Sequence, residues 1–507
     1  MKRMILLLLT ALALLPLLDS CNQKGNVSAT SGLKDSSITF SSSDSALNNT
    51  FQWAKMQALA YAFKEDPVGI WYEAGLPGRE VFCMRDVSHQ AMGAEFLGLG
   101  AYTKNMLYLM AKNISNEKDW CSFWEITRQG EPALQDYLND KEFWYNLPAN
   151  FDVLDCCFRM FELTGDLDYV YDPVFLNFYR RTVYDYVERW NLSMDKIMVR
   201  PRIMNNPPGN NRKFKNARGI PGYNEGDVDY TVGLDLLATE HAAFKSYARL
   251  QQLRHHEDEA AKFYKKAAEV AQFIDTVWWD NQHNTYYTHL DKDHKLSTYG
   301  VGQALLYWGV PEDTFKLRSL IDTLVRNLPK DAESSIEGLS HLPEILYKYD
   351  QPELADNMLA FIMQNERREY PEASFSVIGA MVSGLMGIRT APYPVQESLI
   401  TGHYPEQIII TRPGLGVNVK WAEINRVPIK GNVISLRHEG EVKTSLTNDA
   451  GPQLLWKAYF PGAYDSLQLN GQSVRAHTDT LLANGKPVSW VLVVVGAGET
   501  GRVQLPD

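Results

Sequence analysis

The chain has 507 residues, 45% of them hydrophobic and 22% charged, with a formal net charge of −11. That length is enough for a large core or several domains. The acidic balance excludes non-specific nucleic-acid binding, which needs a basic face. Aromatic residues reach 11%, with 12 Trp and 26 Tyr, a composition that suits ring packing between helices and ring stacking on sugars equally well.

Residues 1–20, MKRMILLLLTALALLPLLDS, open with Lys2 and Arg3 and continue in an apolar run broken by Pro16. The run is too short for a comfortable membrane span and has signal-peptide proportions. It ends in Leu18-Asp19-Ser20-Cys21, a lipobox-like stretch, so Cys21 is expected to carry a lipid anchor. A lipoprotein of the Gram-negative outer membrane follows. The absence of an acidic run after Cys21 favours its periplasmic face over the cell surface. Residues 21–50 are rich in Ser, Thr and Asn and predict a flexible tether. Cys156 and Cys157 fall inside an apolar helical pattern as small core residues, with Cys83 and Cys121 elsewhere. No spacing resembles a zinc site, and neither metal nor cofactor is expected.

Helical periodicity runs from 51 to 388, over 51–65, 86–112, 150–165, 172–191, 229–252, 257–279, 299–308, 312–328, 340–350, 352–366 and 374–388. Short turns between neighbours predict stacked antiparallel hairpins. Past a linker at 389–402, residues 403–507 carry short β-rich runs such as "EQIIITR" and "SWVLVVVGAG", separated by Gly and Asn-Gly. A mainly α helical barrel followed by a smaller antiparallel β-sandwich is the expected architecture.

Two stretches interrupt the helical pattern, 66–85 and 192–228; irregular segments of that length inside a compact domain usually carry function. The second holds Arg200, Arg202, Arg212, Lys213, Lys215 and Arg218, then "PGYNEGDVDYTVGLDLL" with Glu225, Asp227 and Asp229. Crowded carboxylates raise one another's pKa, which keeps one protonated near neutrality. Glu225 and Asp227 are the acid candidates; Asp229 suits a helix cap or a sugar ligand. Ahead of later helices stand Glu337 in "ESSIEGLSHLPE" and Glu372 in "REYPEASFS", either of which could serve as base or simply complement a helix dipole. Trp71 and Tyr72 in the first irregular stretch, and Tyr223 beside the acids, offer stacking faces. The basic loop suggests an anionic glycan.

Four stretches, "FRMFELTGDLDYV" (158–170), "KFYKKAAEVAQFIDTVWWDNQHNTYY" (262–287), "CMRDVSHQ" (83–90) and "EYPEASFSVIGAMVSGLMGI" (369–388), resemble the six-hairpin glycosidase superfamily, with its glucoamylase-like and α-L-rhamnosidase-like families. The resemblance covers roughly 51–388 and implies an (α/α)6 toroid of helical hairpins. It also implies an exo-acting, mostly inverting glycosidase that works through a carboxylate pair. Arg85 and Asp86 match the Arg-Asp pair that grips the terminal sugar in many of these barrels, with His89 and Gln90 one turn further on. Here the pair follows Met84, where glucoamylase-like enzymes place Trp. A lyase acting on uronic-acid glycans, or a non-catalytic glycan-binding lipoprotein, are the alternatives.

Overall fold

In the computed structural model, which describes residues 38–201, 218–224, 230–298, 300–391 and 408–506, the first helix begins earlier than its periodicity suggests. Cys21, Glu225, Asp227 and Asp229 lie outside these residues, as do most of the basic loop and most of the linker. Helix α1 spans Ser45–Ala60, started by Asp44, whose carboxylate accepts from the N–H of Ala46 at 2.7 Å. It buries Leu47, Phe51, Ala54 and Ala58, one face at helical spacing. Strand β1, Thr39–Ser42, precedes it. The tether expected over 21–50 is therefore corrected for 38–50. The Ser/Asn-rich composition hid a capped helix start in which Leu47 and Thr50 are already buried.

Eleven more helices of six residues or longer follow among the described residues: α2 (Met84–Phe96), α3 (Gly100–Lys112), α4 (Pro148–Thr164), α5 (Pro173–Arg181), α6 (Leu234–Leu253), α7 (Glu257–Val277), α8 (Gln303–Trp308), α9 (Thr314–Arg326), α10 (Leu342–Lys348), α11 (Pro352–Gln364) and α12 (Pro371–Ala380). Their burial sorts them into two layers. In α2, 10 of 13 residues are buried and in α4, 14 of 17, whereas α7 buries only 5 of 21 along one stripe. A helix buried on most sides is an inner helix, and one with a single buried stripe faces water.

The inner helices form a ring. α2 packs between α12 and α4, α4 against α6, α6 against α8, and α10 against α12. Lys348 Nζ closes the gap from α10 to α8 by donating to the carbonyls of Leu306 and Tyr307 at 3.0 and 2.8 Å. α3, α7, α9 and α11 each pack outside the inner helix before them, α5 lies against α3, and α1 lies outside α12. The α2–α12 contact is close: a Cβ on Gly93 would stand 2.0 Å from the Phe375 carbonyl oxygen. The expected single helix over 86–112 is two, because Gly98 at φ 81° turns the chain in a left-handed conformation.

Twelve strands, β1 included, build two sheets, one of them seeded by the N-terminal strand. These are β2 (Arg389–Thr390), β3 (Ile408–Thr411), β4 (Trp421–Ile429), β5 (Asn432–Glu439), β6 (Lys443–Ala450), β7 (Leu454–Pro461), β8 (Ser466–Leu469), β9 (Gln472–Arg475), β10 (His477–Thr480), β11 (Pro487–Val495) and β12 (Thr500–Gln504). One sheet has the order β1-β4-β5-β6-β12-β8-β9 and the other β2-β3-β7-β11-β10. The expectation of a purely antiparallel module is corrected by β3 and β7, which pair in parallel. The sheets face each other where Gly501 meets the Trp456 ring. Alternation along β5 buries Asn432, Ile434, Leu436 and His438. His438 ties this sheet to the helices, with Nε2 3.0 Å from the Met386 carbonyl oxygen. Cys83, Cys121, Cys156 and Cys157 are free and buried. Among the described residues no helix is long and apolar enough to cross a membrane.

Candidate active site

Arg85 enters the ring at the end of a short ribbon, Val81–Cys83 paired with Glu125–Thr127, which runs straight into the first turn of α2. Tyr223 arrives similarly, just past the strand Arg218–Ile220. His341 precedes α10, Gln303 opens α8, and Glu372 lies in the first turn of α12. The N-terminal ends of the inner helices thus share one rim, where helix dipoles favour negative charge.

A cavity of 240 Å³ opens there, lined by Arg85, His89, Tyr223, Glu337, His341 and Glu372, with Gln303, Tyr307 and Trp308 along one wall. Glu372 Oε1 is its charged centre: His341 Nε2 lies 2.6 Å away and His89 Nδ1 3.3 Å away. Burial pushes the Glu372 carboxyl up, but the charge and hydrogen bonds of the two imidazoles outweigh it and hold it well below the usual carboxylate range. Burial acts the other way on His341, where the Glu372 anion prevails and raises it. His89, buried and next to His341, is pushed down to about 4. One imidazole therefore holds its proton beside the carboxylate while the other stays neutral.

Behind this centre, Asp86 is buried and accepts from Tyr370 Oη at 2.7 Å; burial and the Glu372 charge raise its pKa. The Gln90 amide bridges α2 and α12, in the orientation that satisfies both of its atoms. It donates to the Asp86 carbonyl at 3.3 Å and accepts from the Glu372 N–H at 3.1 Å. Arg85 lies over two rings, 5.8 Å from Trp124 and 5.6 Å from Tyr223. Tyr223 Oη donates to Asp152 Oδ1 at 2.7 Å, and burial pushes Asp152 up to about 8. The second oxygen of Asp152 is buried without a partner, which suits a carboxyl that keeps its proton.

The donor atoms of His89, His341 and Glu372 all lie within 4.8 Å of one another. The 2.6 Å His341–Glu372 separation is that of a charge-assisted hydrogen bond. Two ligands at ~2.0–2.1 Å from a tetrahedral zinc stand roughly 3.3 Å apart. Both imidazoles engage the one Glu372 oxygen, while His89 Nε2 and His341 Nδ1 are buried without a hydrogen-bond partner.

No family model matches the chain, and no curated protein matches it in sequence. Solved structures do. The α-L-rhamnosidase from Dictyoglumus thermophilum is similar over 92% of this chain and 50% of its own, at a TM-score of 0.58 and 12% identity. That from Aspergillus terreus is similar over 91% and 50%, at 0.54 and 12%. A putative kojibiose phosphorylase from the human microbiome is similar over 90% and 63%, at 0.53 and 9%. The chain has a rhamnosidase-type fold. It spans about half the length of these rhamnosidases, and at such identities the likeness is one of fold.

Onto this rhamnosidase-type fold the expected site residues distribute unevenly. Arg85, His89, Tyr223, Glu337 and Glu372 line one cavity, while Asp86 and Gln90 support it from behind. Glu337 is half exposed and paired with Arg367 at 3.1 Å. Trp71 and Tyr72 offer no stacking face, a correction to the expected role. Trp71 is 1% exposed, with its indole N–H on Asp66, and Tyr72 is fully buried against Thr103 and Phe375. Two of the six loop cations are structural. Arg200 is buried, donating to the carbonyls of Trp190 and Thr231, and Arg218 pairs with Asp119. His341, Tyr307, Trp308 and Asp152 are the additions. His341 lies inside the same "ESSIEGLSHLPE" as Glu337, a helix-start polar residue that could have been singled out. Tyr307 and Trp308 read in sequence as core.

Proposed function

We propose that the chain is a glycoside hydrolase built on an (α/α)6 barrel, releasing a terminal sugar from a glycan with inversion of configuration. The observation that carries this reading is the Glu372 carboxylate, kept ionised by two imidazoles and lining the cavity at the helix N-termini. The cavity's 240 Å³ falls below the roughly 300–1,000 Å³ of drug-sized sites, which suits one terminal sugar rather than a run of subsites. The ring of six inner helices, five of them with an outer helix packed against them, supports the barrel assignment.

Inverting hydrolysis needs one carboxyl that holds a proton for the leaving oxygen and one carboxylate that takes a proton from water. Glu372 suits the second task, and Glu337 on the same wall is its alternative. The acid is assigned to Glu225 or Asp227, two and four residues after Tyr223 in the chain. Arg85 would hold sugar hydroxyls, and Trp308 and Tyr307 supply apolar surface. An aryl α-L-rhamnoside is the first substrate to try, followed by a panel of plant and host oligosaccharides, anionic ones included. The stereochemistry of the first-formed sugar tests inversion. Chain delivery to the outer membrane through Cys21, on the periplasmic face, is part of the same proposal and is tested by fatty-acid incorporation into wild type but not Cys21→Ala.

A second reading draws on the same cavity: Arg85, His89, His341 and Tyr223 are the groups a lyase uses to neutralise a uronate and remove its proton. Unsaturated-uronate absorbance on uronic-acid glycans would favour that reaction over hydrolysis.

A further inference from the structure

At the other, C-terminal ends of the inner helices lies a second cavity, of 480 Å³, which shares Tyr307 and Trp308 with the first. Five cationic side chains line it: Arg159, Lys245, Arg249, Lys348 and Arg389. The carboxylates on the same wall are three, Asp155, Glu162 and Glu344, so the lining carries a positive excess.

Part of that charge has a local explanation, because helix C-termini favour cations. Lys348 caps the last turn of α8 through the carbonyls of Leu306 and Tyr307. Arg159 is paired with Asp155 at 2.8 Å. Lys245, Arg249 and Arg389 are different, since among the described residues none of them forms an ion pair with a carboxylate. Arg249 lies over the Phe158 ring at 5.4 Å, and Arg389 donates from Nε to the Ser383 carbonyl at 3.0 Å. Lys245 and Arg249 are one turn apart on α6, where like charges repel.

The titration of Lys245 and Arg389 follows the same pattern. Burial and then Arg249 hold Lys245 below its usual range. Burial and then Arg412 push Arg389 down to about 10. Lys245 and Arg389 thus feel a net positive surrounding beside the cavity, with Glu312 and Asp155 acting in the opposite sense on the first and Glu344 on the second.

We propose that this second cavity is a binding site for an oxyanion-bearing ligand, phosphate or sulfate, whose charge is neutralised by Lys245, Arg249 and Arg389. The oxyanion is either a free inorganic ion or the ester group of a phosphorylated sugar. Calorimetric titration of the whole protein with sodium sulfate, sodium phosphate and a hexose phosphate distinguishes the two, with ionic strength held constant by sodium chloride. One saturable site of equal affinity for all three assigns it to the free ion; at least tenfold tighter binding of the hexose phosphate assigns it to the ester.

The Lys245→Gln/Arg249→Gln double variant is expected to lose this binding. Relieved of like charges, it should also melt at or above wild type in chloride and show none of the sulfate-dependent rise. Three results overturn the proposal: sulfate stabilising wild type no more than chloride does, sulfate stabilising both proteins equally, or a variant that melts earlier in chloride. The last would identify the two cations as helix supports.

Discussion

His341 Nε2 and Glu372 Oε1 lie 2.6 Å apart at the starts of two neighbouring inner helices, α10 and α12. Both side chains are largely buried, and each determines the other's protonation. His341, raised by its partner, contributes stability fully below its unfolded value and loses it as pH rises through the folded one. Glu372, held down, contributes above its unfolded value and loses it as pH falls through the folded one. The pair is therefore strongest between about pH 4.3 and 6.5, the two unfolded values. A His341→Asn/Glu372→Gln double-mutant cycle followed by denaturant unfolding should give a coupling of about 0.5–3 kcal/mol at pH 5.5, shrinking at pH 9. A coupling that is flat with pH would show that no charge is shared.

Asp152 titrates in the opposite sense to Glu372. Its folded value, pushed up by burial to about 8, lies above an unfolded value of about 3.9. Its contribution is thus present at acid pH and declines as pH rises through that interval. Asp152→Asn, which keeps the acceptor for Tyr223, should flatten the stability profile between about pH 4 and 8 and stabilise the protein most at alkaline pH. An Asn variant whose profile parallels wild type would mean that Asp152 is ionised when folded.

Arg85→Lys keeps the charge and removes the planar group that lies over Trp124 and Tyr223. Loss of a charged hydrogen bond costs about 1.5–3 kcal/mol, or roughly ten- to a hundredfold in kcat/KM, with KM rising more than kcat falls. An unchanged KM would take Arg85 out of sugar binding.

Gly93→Ala tests the ring itself. The added methyl would stand 2.0 Å from the Phe375 carbonyl oxygen, backbone that cannot swing aside. Overpacking of this kind typically costs about 1–3 kcal/mol, read as an earlier melting transition. A neutral Gly93→Ala would mean that α2 and α12 can separate freely.

Much of the helical order was legible in the sequence, because a 3.6-residue apolar period survives wherever a helix has one buried face, as in α7 and α9. It misses the α2–α3 junction, where the pattern runs on through Gly98. The cavity was half legible. Arg85, His89, Glu337 and Glu372 stand at helix starts in polar company, so their types and positions drew attention. Trp71 and Tyr72 misled, since an aromatic in an irregular stretch has the same letter whether it faces a ligand or the core. Tyr307 and Trp308 showed the reverse: they end an apolar helix and become a cavity wall only because the ring brings α8 opposite α2. The composition of 38–50 concealed α1, whose start depends on a single Asp cap.

The direct test of Glu372 as a catalytic carboxylate is single-turnover hydrolysis of an aryl α-L-rhamnoside, or of whichever glycan the panel identifies, by wild type and Glu372→Gln. Both are assayed at pH 7 and well below the variant's unfolding temperature, since loss of the His341 pair also lowers stability. Wild type should release the terminal sugar, and the variant should be slower by ~10²–10⁴-fold, the usual loss on removing a general acid or base. A folded Glu372→Gln protein that turns over at the wild-type rate would contradict the assignment.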